Sequence, residues 1–228
     1  RASNTEPLLR LSLEAAYDDA RHHFHKQEWQ GKSSAGALCV SCHMPKSPFM
    51  VVHWRADHSI RIPRPDLTRE LGVPNACSNS GCHDDKPLSW VSDAYDRWYG
   101  TARKPHYGTA IAAGRTGDPA ARAELLRLAA DGLAPTLVRA TALDLLGGYD
   151  GAEVDAAFRR ALLDDEPLLR RTAAAAAPIA DPAERAKRLA PLLSDSHRAV
   201  RLEAASQLAG IPATLVANGL LPVYAAGN

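Results

Sequence analysis

The chain has 228 residues, 46% of them apolar and 23% charged, with a formal net charge of +1; that is the make-up of a globular chain long enough for one sizeable domain or two small ones. So even a balance provides no field for nucleic acid or for an anionic membrane surface, and no run of about 18 apolar residues is present to span a bilayer. The chain opens at Arg1 without a charged and apolar leader, the expectation for a mature, exported product whose signal has been removed.

The first chemistry-bearing stretch is "RHHFHKQ" at 21–27, which places His22, His23 and His25 together; His22 and His25 share a face if the segment is helical. "CVSCH" follows at 39–43 and "CSNSGCH" at 77–83, each a pair of cysteines with a histidine directly after the second. Between them "RIPRPD" (61–66) and "GVPN" (72–75) carry prolines at 63, 65 and 74, which push the preceding residues toward extended backbone and predict loop. A lobe with so little periodic structure needs another organiser for its core.

Near residue 105 the composition changes. All four cysteines, all four tryptophans and seven of nine histidines lie before it, so the expected division is a first domain over 1–105, a helical domain over 106–210 and a tail over 211–228. In the second part "LVRATALDLL", "LLRRTAAAAA" and "AVRLEAASQL" place Arg139, Arg170 and Arg201 at an even spacing of 31, and Leu162 with Leu193 and Asp164 with Asp195 recur at the same interval. Two amphipathic helices in a period of this length predict a short α-solenoid, in which stacked repeats bury what no single repeat can bury alone. The prolines at 135, 167, 182 and 191 fall mostly near predicted helix starts. The repeated arginines read as ion pairs within a repeat or as stem packing, and the surface as scaffold or a partner surface. The tail is apolar enough for a cap or a partner contact.

Three chemistries compete for the cysteines. Disulfides within such close pairs close small rings and leave His43 and His83 without a role. A tetrahedral zinc site of Cys39, Cys42, Cys77 and Cys82 uses the thiolates but leaves the histidines to chance; for nine histidines in 228 residues, a histidine after both pairs is a coincidence on the order of one in several hundred. Two covalent haems use every residue: the thiols add to the two vinyl groups, and the following histidine lies beneath the iron. The second motif has four residues between its cysteines instead of two, so a larger loop must span the same vinyl spacing. Each iron then has a sixth position, for which His58 and either His25 or His23 are the candidates. Arg61 and Arg64 suit haem propionates, although solvated loop charges explain them nearly as well. His53, His106 and His197 read as ordinary surface or hydrogen-bonded side chains.

The stretches "HHFH", "CVSCHMP", "DHSIRIPRPDL", "LGVPNAC", "CHDDKPLSWV" and "WYG", followed by "VRATAL" and "VRLEAA", resemble the C-terminal part of a family of exported multihaem c-type cytochromes whose haem region precedes HEAT-like helical repeats. The resemblance covers roughly residues 15 to 210. It departs in having two haem motifs, in the two extra residues of the second motif, and in His53 and Trp54 where an acidic residue and a proline are expected. It implies a mainly α chain in which a loop-rich dihaem cytochrome lobe precedes a short HEAT-like α-solenoid. The expected function is electron transfer in the periplasm or outside the cell, not catalysis, with redox partner proteins or copies of the chain, stacked head to tail as a filament, as acceptors. The rivals are a reductase or peroxidase with an open haem position and a zinc-stabilised helical adaptor.

Overall fold

A computed structural model describes residues 24, 25, 28, 29, 31–78 and 82–225. The protein is mainly helical, and its chain divides into two compact units, 1–104 and 105–228. His22 and His23 lie outside the described residues.

The first unit is built from short pieces. Strands β1 (Glu28–Trp29) and β2 (Lys32–Ser33) pair antiparallel, and a 3₁₀ turn over Ala35–Ala37 leads into helix α1, Cys39–His43. Strands β3 (Lys46–Phe49) and β4 (His53–Ala56) then form an antiparallel hairpin in which Phe49 opposes His53. Its tip carries Met50 and Val51 at φ of 49° and 69°, backbone that a β-branched residue rarely adopts.

The proline-rich stretch expected as loop contains helix α2, Pro65–Leu71. Pro65 stands in its first turn, where the missing amide proton has no partner to lose, and Gly72 closes the helix in the left-handed region at φ 68°. Arg64, the residue before Pro65, stays out of the helical region just outside the helix, at φ −135° and ψ 75°. Helix α3, Leu88–Tyr99, packs against α2. Among the described residues the buried apolar side chains of this unit are Leu67, Ala76, Val91 and Ala94, together with Pro65.

The second unit runs through α4 (Tyr107–Arg115), α5 (Ala121–Ala130), α6 (Thr136–Leu146), α7 (Ala152–Ala161), α8 (Pro167–Ala176), α9 (Pro182–Leu189), α10 (Arg198–Leu208) and α11 (Ala213–Ala225). The Arg-bearing helices α6, α8 and α10 stack on one another in order, and α5 touches α7 in a second layer. Phe158, Leu125, Leu143, Leu146, Leu169 and Val200 are almost wholly buried between the layers, each side chain contributing about 1.5–3 kcal/mol by leaving water. The segment expected as a tail joins this core: Ile211, Leu215 and Val216 pack against it. Gly219 permits the close approach of α11 to α9, since a Cβ there would stand 2.6 Å from the Ala186 carbonyl oxygen.

The 31-residue recurrence is a ladder. Arg139 donates to the Asp164 carboxylate at 3.0 Å, while the backbone carbonyl of Asp164 accepts from Arg170 at 2.7 Å. Arg170 in turn holds the Asp195 carboxylate, and the Asp195 carbonyl accepts from Arg201 at 2.7 Å. Each aspartate therefore answers one arginine with its side chain and the next with its backbone.

Candidate functional site

In the first motif, α1 sets Cys39 and Cys42 three residues apart and therefore on one face of a helical turn. The same register returns the His43 amide to the Cys39 carbonyl. Cys77 to His83 reaches an equivalent closure differently: the His83 N–H donates to the Cys77 carbonyl at 3.1 Å, bridging a loop two residues longer. Both motifs thus bring the histidine back to the first cysteine.

His43 is held from behind. Its Nδ1 lies 2.7 Å from the Arg61 carbonyl oxygen, and the Arg61 amide donates to the His43 carbonyl at 3.0 Å. An Nδ1–H donated to a backbone carbonyl makes Nε2 the lone-pair nitrogen, the orientation a metal-ligating histidine takes. Asp57 N–H donates to the Pro45 carbonyl at 3.0 Å, so the segment carrying His58 is clasped at both ends to the flank of the first motif. His58 Nδ1 lies 2.9 Å from the Ala56 carbonyl, the same tautomeric arrangement.

His25 meets the second motif. Its ring centre is 6.2 Å from that of His83, with 41° between the planes. With a metal–nitrogen bond of about 2.0 Å and a ring centre about 1 Å beyond each nitrogen, two imidazoles sharing one metal ion stand about 6 Å apart. Aromatic side chains frame the pair: Trp98 meets His25 edge-on at 5.7 Å, Phe24 stacks on Trp98 at 4.7 Å, and Trp90 lies 5.1 Å from His83. Burial, and then the neighbouring His83, lower the pKa of His25 and favour the neutral imidazole that binds metals. Gly36 borders the ring so closely that a Cβ there would stand 2.6 Å from His25 Cδ2.

The thiols lie within electrostatic reach of one another across the two motifs. Burial first, then Cys82 and Cys39, push the Cys42 thiol up; burial, then Cys42 and Cys82, push Cys77 up to about 11. Both are therefore protonated at neutral pH while no metal is bound, and metal or haem attachment would displace those protons. All four cysteines are free of disulfides. Among the described residues no group of three or more His, Cys, Asp or Glu is arranged to hold a metal ion.

The surroundings fit a large apolar plate. Leu38, Val40, Ile60, Ile62 and Trp90 are exposed beside the motifs and their histidines, while few of the unit's described apolar side chains are buried. Covalent haem fits this set: two thiol pairs, two following histidines, one facing imidazole and uncovered apolar flanks.

Arg64, read as either a propionate partner or a solvated loop charge, grips Asp66 with Nε at 2.9 and 3.0 Å and donates Nη1 to the Lys104 carbonyl at 3.2 Å. Arg61 donates Nε to Ser59 Oγ at 2.7 Å and lies 3.3 Å from Asp57. Both guanidiniums therefore have protein partners. Sequence reasoning gave no role to Asn75 or Gly36. An Asn two residues before a cysteine at a turn is a readable Asx-turn signal, whereas nothing in the chain around Gly36 points to a histidine packed on it. No family model, no curated protein and no solved structure matches this chain.

Proposed function

We propose that this chain is an exported dihaem c-type cytochrome that carries electrons, with a HEAT-like helical stack as its second unit. His43 and His83 would hold the two irons, with His25 as the second histidine at the His83 haem and His58 as the second histidine at the His43 haem. Haem bound there would supply a one-electron couple. The observation that carries the reading is the approach of the His25 and His83 rings, 6.2 Å between centres and tilted by 41°, which brings together two histidines from distant segments. Two axial imidazoles close an iron to exogenous ligands and favour transfer over substrate chemistry, which sets this reading above a reductase or peroxidase.

The residues divide the work. The thiols would tether the haems and the histidines hold the metal; the Arg61 carbonyl fixes the His43 ring, and the Trp90 and Trp98 rings flank the His25–His83 pair. A chain with two haems hands its electrons on, to a redox partner protein or to a second copy, and a head-to-tail contact between copies would propagate into a filament. Electron micrographs of native material showing only monodisperse particles at high concentration would remove the filament from this proposal.

The test is an optical spectrum of the exported protein before and after dithionite, with its intact mass. Sharp reduced bands of low-spin c-type haem and a mass excess of two haems are expected. A colourless protein of unmodified mass would overturn the reading and return the cysteines to zinc or disulfides.

A further inference from the structure

We infer that Asn75 is the positioning residue that presents Cys77 for haem attachment, taking at the second motif the part that a helical turn plays at the first; this rests on the dihaem reading. Asn75 is a polar side chain only 5% exposed, in the loop between α2 and the second motif. Its Oδ1 accepts from the Cys77 amide at 2.9 Å and the Ser78 amide at 3.1 Å. Its Nδ2 donates to Thr68 Oγ1 on α2 at 3.1 Å and to Ser78 Oγ at 2.9 Å. One carboxamide therefore ties the start of the motif to a helix packed on α3, with its hydrogen-bonding groups occupied.

The consequence concerns Cys77. Its N–H is held by Asn75 and its C=O by the His83 amide, so the residue is fixed on both sides although it lies in a turn. Cys39 needs no such help, because it opens α1 and the helix sets it three residues from Cys42. A loop with four residues between its cysteines has no helical register to place the first thiol, and Asn75 provides the fixed point instead. The chemistry asks for that placement. Each attachment adds a thiol S–H across a vinyl C=C: a carbon–sulfur bond forms, the thiol proton moves to the other vinyl carbon, and no electrons are exchanged with an oxidant or reductant. A thiol that wanders meets the wrong carbon or none.

The test compares wild type, Asn75→Asp and Asn75→Ala, each exported from a host that attaches haem, by intact mass and by peptide mapping after alkylation of free thiols. Asp keeps the acceptor that holds the two amides, so N75D should carry two haems like wild type. N75A should carry one, on Cys39 and Cys42, with Cys77 and Cys82 alkylated. Two haems on N75A would overturn the inference, and so would loss of both haems, which would make Asn75 a residue of the whole lobe. A wild type without haem would overturn the dihaem reading beneath it, a result distinct from either.

Discussion

Arg170 meets Asp195 through two nitrogens, Nε at 2.7 Å from one carboxylate oxygen and Nη2 at 3.0 Å from the other. The two side chains are 13% and 7% exposed, and the Asp195 carbonyl accepts from Arg201 in the next helix. The pair is therefore a joint between successive repeats more than a surface ornament. The hydrogen bonds from Arg170 hold the Asp195 carboxyl below the usual carboxylate range, against the opposing effect of burial.

Asp195→Asn should cost about 2 kcal/mol at neutral pH, since it leaves Arg170 without its countercharge in a water-poor site. The sign with pH follows from the lowered pKa. The contribution is whole above the unfolded aspartate value of about 3.9 and is lost as pH falls through the lower folded value. Denaturant melts of the two proteins should differ at pH 7 and converge at the acid end; a constant difference across that range would assign the stabilisation to packing.

On the dihaem proposal, His25→Ala should leave both haems attached, because no thiol is touched, while converting one of them from low spin to high spin. Electron paramagnetic resonance and cyanide titration read this directly: the variant should bind cyanide at one iron, and wild type at neither. His58→Ala should give the same signature at the other iron. A His25→Ala protein that stayed wholly low-spin would break the pairing of His25 with His83.

What could be read along the chain and what could not divides on sequence distance. Arg139, Arg170 and Arg201 announce the stack because each repeat places its arginine at the same point of the same helix. The two cysteine motifs are equally local. The helix at Pro65–Leu71 was hidden by its own prolines, which start a helix as readily as they break one. Nothing at Met50 and Val51 signals a hairpin, since bulky apolar residues occupy backbone that Asn and Gly usually mark. The facing of His25 and His83, and the packing of His25 on Gly36, arise only when distant segments meet, so sequence could name the histidines but not pair them.

Gly36→Ala tests that packing from the other side. The added methyl would stand 2.6 Å from His25 Cδ2 and 3.1 Å from Cγ, and an aromatic ring cannot yield as the end of a flexible chain would. The ring must shift, so a fraction of one haem should turn high-spin although His25 itself is intact. The fold of the second unit should be unaffected, as judged by its unfolding transition. An unchanged spectrum would mean that the ring has room to relax without leaving its partner.

Deleting Asn79 and Ser80 converts the second motif to Cys77-Ser78-Gly81-Cys82-His83, the spacing of the first. The closing bond from the His83 amide to the Cys77 carbonyl already brings the ends of the longer loop together, as the helical register does for His43 and Cys39. On the dihaem proposal this closure, and not the two extra residues, is what the site needs, so the shortened protein should retain two haems by intact mass. Its spectrum should match wild type, because His83 and His25 keep their places. With the helical spacing restored, dependence on Asn75 should also fall: Asn75→Ala in the shortened chain should recover the second haem that it loses in the long one. If the deletion itself removes that haem, the longer loop is a requirement of the site, and the equivalence of the two motifs drawn from their shared closure is wrong.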